Sequence, residues 1–223
     1  MRKKKRYFTH RSLARQARRM SVRIRRLKQG HPVQLLPEKS ALLILDMQRY
    51  FLDSASHAYI PSAPAIIPGL LQLCELYRSR NLPIILTRHV NSPEDAKALG
   101  RWWRDLLQAQ DPLSEIIPEL LKYDALVIEK SQYDAFYHTD LEDRLKARDV
   151  QQLVIGGVMT HLCCETTARA AFVRGLDIFF TVDGTATYTK NFHRATLLNL
   201  AHGVATPATV SEILSLYDYD ECE

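Results

Sequence analysis

The feature that most constrains the fold of this 223-residue chain is a regular alternation of short apolar, β-rich runs with longer helical stretches. The runs occupy residues 41–45, 83–87, 125–128, 153–158, 178–182 and, more weakly, 203–206. Within each run the apolar residues are nearly continuous rather than alternating, so both faces of each strand must be covered. Helical patterns fill the intervals at residues 63–79, 93–108, 140–147, 162–174, 192–201 and 210–217. Strands separated by helices pair in parallel, and the expectation is an α/β sheet sandwiched between helical layers. The chain is long enough for one such domain and too short for two.

Charge divides the chain unevenly. Residues 1–30 hold thirteen Lys and Arg and no acid, whereas the rest carries 17 basic and 25 acidic side chains, a net charge of −8. The overall charge of +5 therefore describes an arm and not a domain. Within this arm Leu13, Ala17, Met20, Ile24 and Leu27 recur at helical spacing, which predicts an amphipathic helix with arginines around its remaining faces. A solvated tail or a helix packed on a neighbouring subunit is the plainer reading. Contact with nucleic acid or an anionic surface is the alternative, and the composition also resembles a cleaved targeting segment. Residues 31–40 read as a linker and 41–223 as the folded domain. No run of eighteen apolar residues and no secretory leader is present, so the expectation is a cytoplasmic protein without a membrane span. The four cysteines, Cys74, Cys163, Cys164 and Cys222, form no spaced disulfide framework and are expected to be reduced.

In open parallel sheets functional groups gather where the carboxyl ends of strands meet the following loops. That filter selects Asp46 after the first run, Arg88 and His89 after the second, Glu129 and Lys130 after the third, residues 160–163 after the fourth and Asp183 after the fifth. Cys163 opens a helix, where unpaired amides and the positive dipole end are expected to lower a thiol's pKa and favour a nucleophilic thiolate. Cys164 points about 100° away around the same helix and is expected to pack inward. Taken singly, Asp46 is as readily a loop cap as a general base, Lys130 a solvated strand end, and Cys163 a buried apolar thiol. Arg88 and His89 could bind a substrate carboxylate or form structural salt bridges. Trp102 and Trp103 could wall a pocket, though adjacent residues face different ways.

Three segments share one explanation. Leu43-Ile44-Leu45-Asp46-Met47-Gln48-Arg49-Tyr50-Phe51, Glu129-Lys130-Ser131-Gln132-Tyr133-Asp134-Ala135-Phe136 and Gly156-Gly157-Val158-Met159-Thr160-His161-Leu162-Cys163-Cys164-Glu165-Thr166-Thr167-Ala168-Arg169 together resemble the isochorismatase-like (cysteine hydrolase) superfamily, in that family's order. The resemblance covers residues 38–216. It implies a three-layer, Rossmann-like αβα sandwich with a six-stranded parallel sheet, and a catalytic triad in which Cys163 is nucleophile, Asp46 base and Lys130 the cation between them. It further implies a cis peptide between Val158 and Met159, and an oxyanion hole formed by the amides of Met159 and Cys163. The substrate class implied is a small amide or ureido compound cleaved through a thioester, and the assembly a dimer or tetramer. Gln48, Phe51, Arg88, Tyr133, Phe136 and His161 are expected to line the substrate pocket.

Within that superfamily the isochorismatases cleave a vinyl ether without a covalent intermediate, using the aspartate, and this chain resembles them at Asp46-Met47-Gln48-Arg49-Tyr50-Phe51, at Ala135-Phe136 and at His161. They typically carry glycine at the position of Cys163 and an arginine at that of Gln132, so the departures favour thiol chemistry. Nicotinamidases bind a metal through an Asp-x-His pair and a second His. Here Asp53 is followed by Ser54 and Ala55, and His57 reads as a loop residue, so neither metal nor cofactor is expected. A dinucleotide-binding oxidoreductase is excluded, because no glycine follows Asp46 until Gly69. A phosphoryl-accepting domain would leave the Cys163 segment unexplained. A non-enzymatic binding protein that uses the basic arm remains as a reading of a different class.

Overall fold

The computed structural model describes residues 4–25, 33–103 and 105–218. Six strands form one parallel sheet: β1 (Ser40–Leu45), β2 (Ile84–His89), β3 (Leu126–Lys130), β4 (Gln152–Val158), β5 (Asp177–Ala186) and β6 (Ala205–Ala208). Their order is β3-β2-β1-β4-β5-β6. The chain thus winds outward from β1 in one direction, returns, and winds outward from β4 in the other. The two halves meet between β1 and β4, the switch point where a crevice opens above the strand ends.

The continuous apolar runs do what their pattern requires at the centre of the sheet. Every residue of β1 and of β4 is buried, and each buried Leu or Ile contributes about 1.5–3 kcal/mol through removal from water. At the β3 edge the pattern fails. Val127 and Glu129 are exposed and only Ile128 and Lys130 are buried, because an edge strand lacks a full helical cover. β5 runs past the expected 178–182 to Ala186, so Asp183 lies inside the strand, where its Oδ1 accepts the Val210 amide at 2.7 Å instead of facing the crevice.

The helices are α1 (Leu13–Arg25), α2 (Arg49–Leu52), α3 (Ile67–Ser79), α4 (Leu99–Trp102), α5 (Pro118–Leu121), α6 (Leu141–Ala147), α7 (Glu165–Phe172), α8 (Lys190–Gly203) and α9 (Val210–Asp218). The helix expected over 93–108 shrinks to the single turn of α4. Lys97 adopts a left-handed conformation (φ 50°) just before it, and Trp103 returns to extended backbone just after. Residues 90–125 are otherwise a loop excursion carrying α4, α5 and a short 3-10 turn.

The described residues of the basic arm, 4–25, pack on the domain. Ala17, Met20 and Ile24 are buried on the apolar face of α1, which lies against β5 and α8. Leu27, predicted on the same face, lies outside the described residues. Ahead of α1, Phe8 is fully buried and meets the His193 ring edge-on at 5.3 Å. Tyr7 accepts the Thr187 amide at its hydroxyl (3.0 Å), and the Lys5 amide donates to the Tyr188 carbonyl (2.9 Å). Residues 4–8 therefore strap the end of β5.

At the switch point β1 and β4 approach closely because Gly157 has no side chain. Its φ is +105°, and a Cβ there would fall 2.1 Å from the Leu45 carbonyl oxygen. Gly157→Ala is therefore expected to lower stability by more than about 2 kcal/mol through backbone strain and displacement of β1. Urea denaturation of the two proteins measures this, and an unchanged midpoint would refute the close approach.

Candidate active site

Three side chains from three strand ends converge above the sheet. Asp46 follows β1 in a left-handed conformation (φ 51°) that aspartate tolerates. The Gln48 amide closes this turn on the Asp46 carbonyl at 2.7 Å. Lys130 ends β3, about 10 Å from β1 across the intervening strand, and its four-carbon stem bridges that gap. Its ammonium lies 2.8 Å from Asp46 Oδ2, 2.9 Å from the Gln132 carbonyl and 3.5 Å from Cys163 Sγ. Cys163 sits in a π-helical turn, Thr160–Cys164, that joins β4 to α7; such turns recur at functional sites. The peptide bond between Val158 and Met159 is cis. Asp46, Lys130 and Cys163 are all at least 96% buried.

Burial would raise the Asp46 pKa, but the adjacent Lys130 ammonium, with His89 and the Cys163 thiol, more than offsets it and holds the carboxyl below its ordinary value. Burial likewise opposes charge on Lys130, and the Asp46 carboxylate reverses it, leaving the ammonium above the usual lysine value. Thr87 Oγ1 donates to Asp46 Oδ1 at 2.5 Å and accepts the Asp46 amide at 3.1 Å, so the carboxylate is held from both sides. The thiol behaves differently from the expectation for a helix start. Burial first, and the Asp46 charge second, push Cys163 up to about 12, and Lys130 counters them only partly. Burial, together with a carboxylate in hydrogen-bond contact, outweighs a helix dipole. The resting cluster is thus carboxylate, ammonium and neutral thiol. Cys164 is fully buried, and its thiol points at the Gly156 carbonyl (3.9 Å), as its helical angle predicts.

The six expected pocket residues separate. Gln48 is fully buried, with its amide donating to the carbonyls of His89 and Ser114 and accepting the His89 amide, so it brackets β1 to β2. Arg88 is saturated by Glu129 (2.6 Å), Ser114 and the Ala109 carbonyl, the structural alternative to carboxylate binding. Phe136 packs beneath the Arg174 guanidinium (4.6 Å) near Leu145 and Val150, towards the opposite end of the sheet. Phe51 is a core residue edge-on to Tyr50. His161 stacks flat on Phe192 at 4.4 Å and shares a 2.7 Å hydrogen bond with Thr187, and burial keeps its pKa below the ordinary imidazole value. Tyr133 remains beside the site, since the Cys163 and Lys130 charges act on its hydroxyl, which accepts the Trp103 indole N–H at 2.5 Å. Tyr50, Tyr133 and Tyr188 lie close enough for their hydroxyls to interact electrostatically. Trp102, in contrast, is 78% exposed.

His89 and Thr87 complete the surroundings. Successive side chains of a strand point to opposite faces, so Thr87 and His89 share one side of β2 and Arg88 takes the other. That period was available in the sequence as the signal for Thr87. Burial, followed by the Lys130 charge, lowers His89 to about 4, and its Nδ1 is buried without a hydrogen-bond partner among the described residues. The ring is neutral near pH 7.

The residues at the place of the Asp-x-His pair do not fit a metal. Asp53 accepts the Ala55 amide, while His57 shares its ring nitrogens with Asp105 (3.3 Å) and Tyr50 (3.2 Å). Among the described residues no group of three His, Cys, Asp or Glu is arranged to hold one. No helix among them is long and apolar enough to cross a membrane.

Comparison with known proteins then decides the family: residues 40–212 match the model of the isochorismatase domain. The chain belongs to the isochorismatase family. Nicotinamidase 3 of Arabidopsis thaliana is 39% identical over 171 residues, 74% of this chain and 82% of that protein. The isochorismatase of Bacillus subtilis is 31% identical over 166 residues, 72% of this chain but only 52% of its own length. A cysteine hydrolase from Pseudomonas syringae pv. phaseolicola superposes with a TM-score of 0.79 over 86% of this chain and 99% of its own, and at 24% identity shares the fold. The six-stranded parallel sheet is that of the isochorismatase-like hydrolases, and the chain is a hydrolase of this family.

The direction of the thiol shift has a testable sign. Removing the Asp46 charge while leaving the Lys130 ammonium must lower the Cys163 pKa. Asp46→Asn is therefore expected to react faster with iodoacetamide at pH 8 than the native protein, with the reactivity midpoint moved to lower pH. Alkylation rate against pH, read at Cys163 by mass spectrometry, measures it; an unchanged or higher midpoint would exclude carboxylate control of the thiol.

Proposed function

We propose that the protein hydrolyses a small amide or ureido substrate through a thioester on Cys163. The observation that supports this reading best is the single ammonium held between a carboxylate at 2.8 Å and a thiol at 3.5 Å, all screened from water. In this reading Asp46, hydrogen-bonded to the thiol, takes the proton as Sγ attacks the substrate carbonyl carbon. Lys130 stays protonated, stabilising first the carboxylate and then the developing sulfur anion. The tetrahedral oxyanion is received by the amides of Met159 and Cys163, donors of a kind worth about 3–4 kcal/mol each. The intermediate expels ammonia or an amine, which leaves with the proton from Asp46. Water then attacks the thioester, returning a proton to Asp46, and the acid departs as the thiol is restored.

Tyr133, which lies within electrostatic reach of the thiol and accepts the Trp103 indole N–H, puts aromatic residues beside the site, which suits a planar heteroaromatic carboxamide. The relative named a nicotinamidase makes nicotinamide the first compound to assay. His89 is neutral and close to Asp46, and in this reading its Nδ1, which has no hydrogen-bond partner among the described residues, hydrogen-bonds the substrate or the attacking water. Vinyl ether cleavage by Asp46 alone is the competing reading, and it makes no use of the thiol.

A panel of nicotinamide, simple carboxamides, ureido acids and isochorismate, assayed with and without iodoacetamide, discriminates the two. The expected result is ammonia release from an amide or ureido member, abolished by alkylation. Cys163→Ala is expected to lower kcat by about a thousandfold or more while the thermal transition is retained, with Asp46→Asn and Lys130→Ala nearly as damaging. Unimpaired turnover by Cys163→Ala would overturn the thioester route.

A further inference from the structure

The hydrolase site leaves the basic arm unused, and the arm builds a second feature. α1 and α8 enclose a groove of about 340 Å³ that carries Arg15, Arg19 and Arg23 from one wall and Lys190 and Arg194 from the other. Arg15, Arg19 and Arg23 are four residues apart on one helical face, about 6 Å from one to the next along the axis, and all three are exposed. No carboxylate lines the groove, and none of these arginines or Arg194 pairs with an acid among the described residues. Lys190 gives one hydrogen bond to Gln16 (3.0 Å) and keeps two protons for another acceptor. Guanidinium groups stay charged at every physiological pH. Five cations held side by side with no counter-charge among the described residues repel one another, a cost that a bound polyanion removes.

We propose that this groove binds the sugar-phosphate backbone of a nucleic acid, independently of the hydrolase site. Two observations select nucleic acid over an anionic bilayer. An amphipathic helix binds a membrane by sinking its apolar face among the acyl chains, whereas in α1 that face, Ala17, Met20 and Ile24, is already buried in the protein core. The cations also stand in two facing walls, which suits a polymer strand lying between them. The groove contains no aromatic ring on which a base could stack and no Asn among its lining residues, so recognition is of phosphate and not of sequence. The remainder of the protein is acidic, but beyond a screening length of about 8–10 Å that charge has little effect at physiological salt.

The test uses the full chain and a fluorescein-labelled mixed-sequence DNA duplex of about twenty base pairs, read by anisotropy at about 50 and 200 mM salt. Micromolar binding is expected, indifferent to base sequence. Log affinity should fall with log salt at a slope of about −4, the value for four to five neutralised phosphates. The exposed triple variant Arg15→Gln, Arg19→Gln, Arg23→Gln should bind at least about tenfold more weakly, and Arg194→Gln on the opposite wall should weaken binding separately and flatten the slope by about one unit. Both should keep native thermal transitions and native amide turnover, and Arg101→Gln, on the exposed α4 elsewhere, should bind as the native protein does. The proposal is overturned if the native protein does not bind the duplex at low salt, or if the groove variants bind as tightly as native. It also falls if vesicles of phosphatidylserine and phosphatidylcholine capture the protein while the duplex does not.

Discussion

The ion pair between Asp46 and Lys130 is the constraint around which the rest of the molecule is arranged. Taking both charges out of water costs several kcal/mol each, and their attraction repays this only where further hydrogen bonds satisfy the remaining atoms. Here Thr87 and the Gln132 carbonyl provide those bonds. An apolar pair of similar volume would serve stability as well or better, so stability alone does not account for the arrangement. Cys163 rests neutral because burial first, and the Asp46 charge second, oppose the thiolate. In the proposed mechanism a sulfur that rests as a thiol becomes nucleophilic as its proton passes to Asp46.

Topology makes the convergence of these groups inexpensive. Asp46 and Cys163 come from β1 and β4, neighbours that meet at the switch point, so each lies one short turn from a rigid, buried strand. Gly157 brings the two strands together and Gln48 ties the end of β1 to the end of β2. Thr167 on α7 accepts the Ala135 amide and donates to the Tyr133 carbonyl, linking the loop after Lys130 to the helix after Cys163. The three functional side chains are therefore cross-braced through backbone contacts.

The strands were legible because continuous apolar runs are the direct trace of two-sided burial, and the strand-end filter then selected Asp46, Lys130 and Cys163. What could not be read depended on direction and path. Alternation along β2 separates Thr87 from Arg88, but which of the two faces looks towards Asp46 is set by the sheet and not by the sequence. Phe136 is near Lys130 in sequence, yet the loop carries it to the other end of the sheet. Residues 93–108 have helical spacing that a left-handed Lys97 interrupts. The apolar face of α1 was legible, but periodicity names a face and not what it packs against. The thiol's raised pKa is not legible in the sequence, because a dipole is visible in sequence order, whereas burial and a carboxylate from a strand more than a hundred residues earlier are not.

The strap formed by residues 4–8 bears on where this protein can be cut. The isochorismatase domain match begins at residue 40, which invites trimming to that boundary. Such a fragment would lose the fully buried Phe8, a loss of the size of a large aromatic truncation at about 3–5 kcal/mol, and would leave the Thr187 amide and the His193 ring without Tyr7. It would also uncover the apolar surface of β5 and α8 beneath α1, inviting self-association. Expression trials or fusions that begin at residue 40 would therefore work without contacts that residues 4–25 make with β5 and α8.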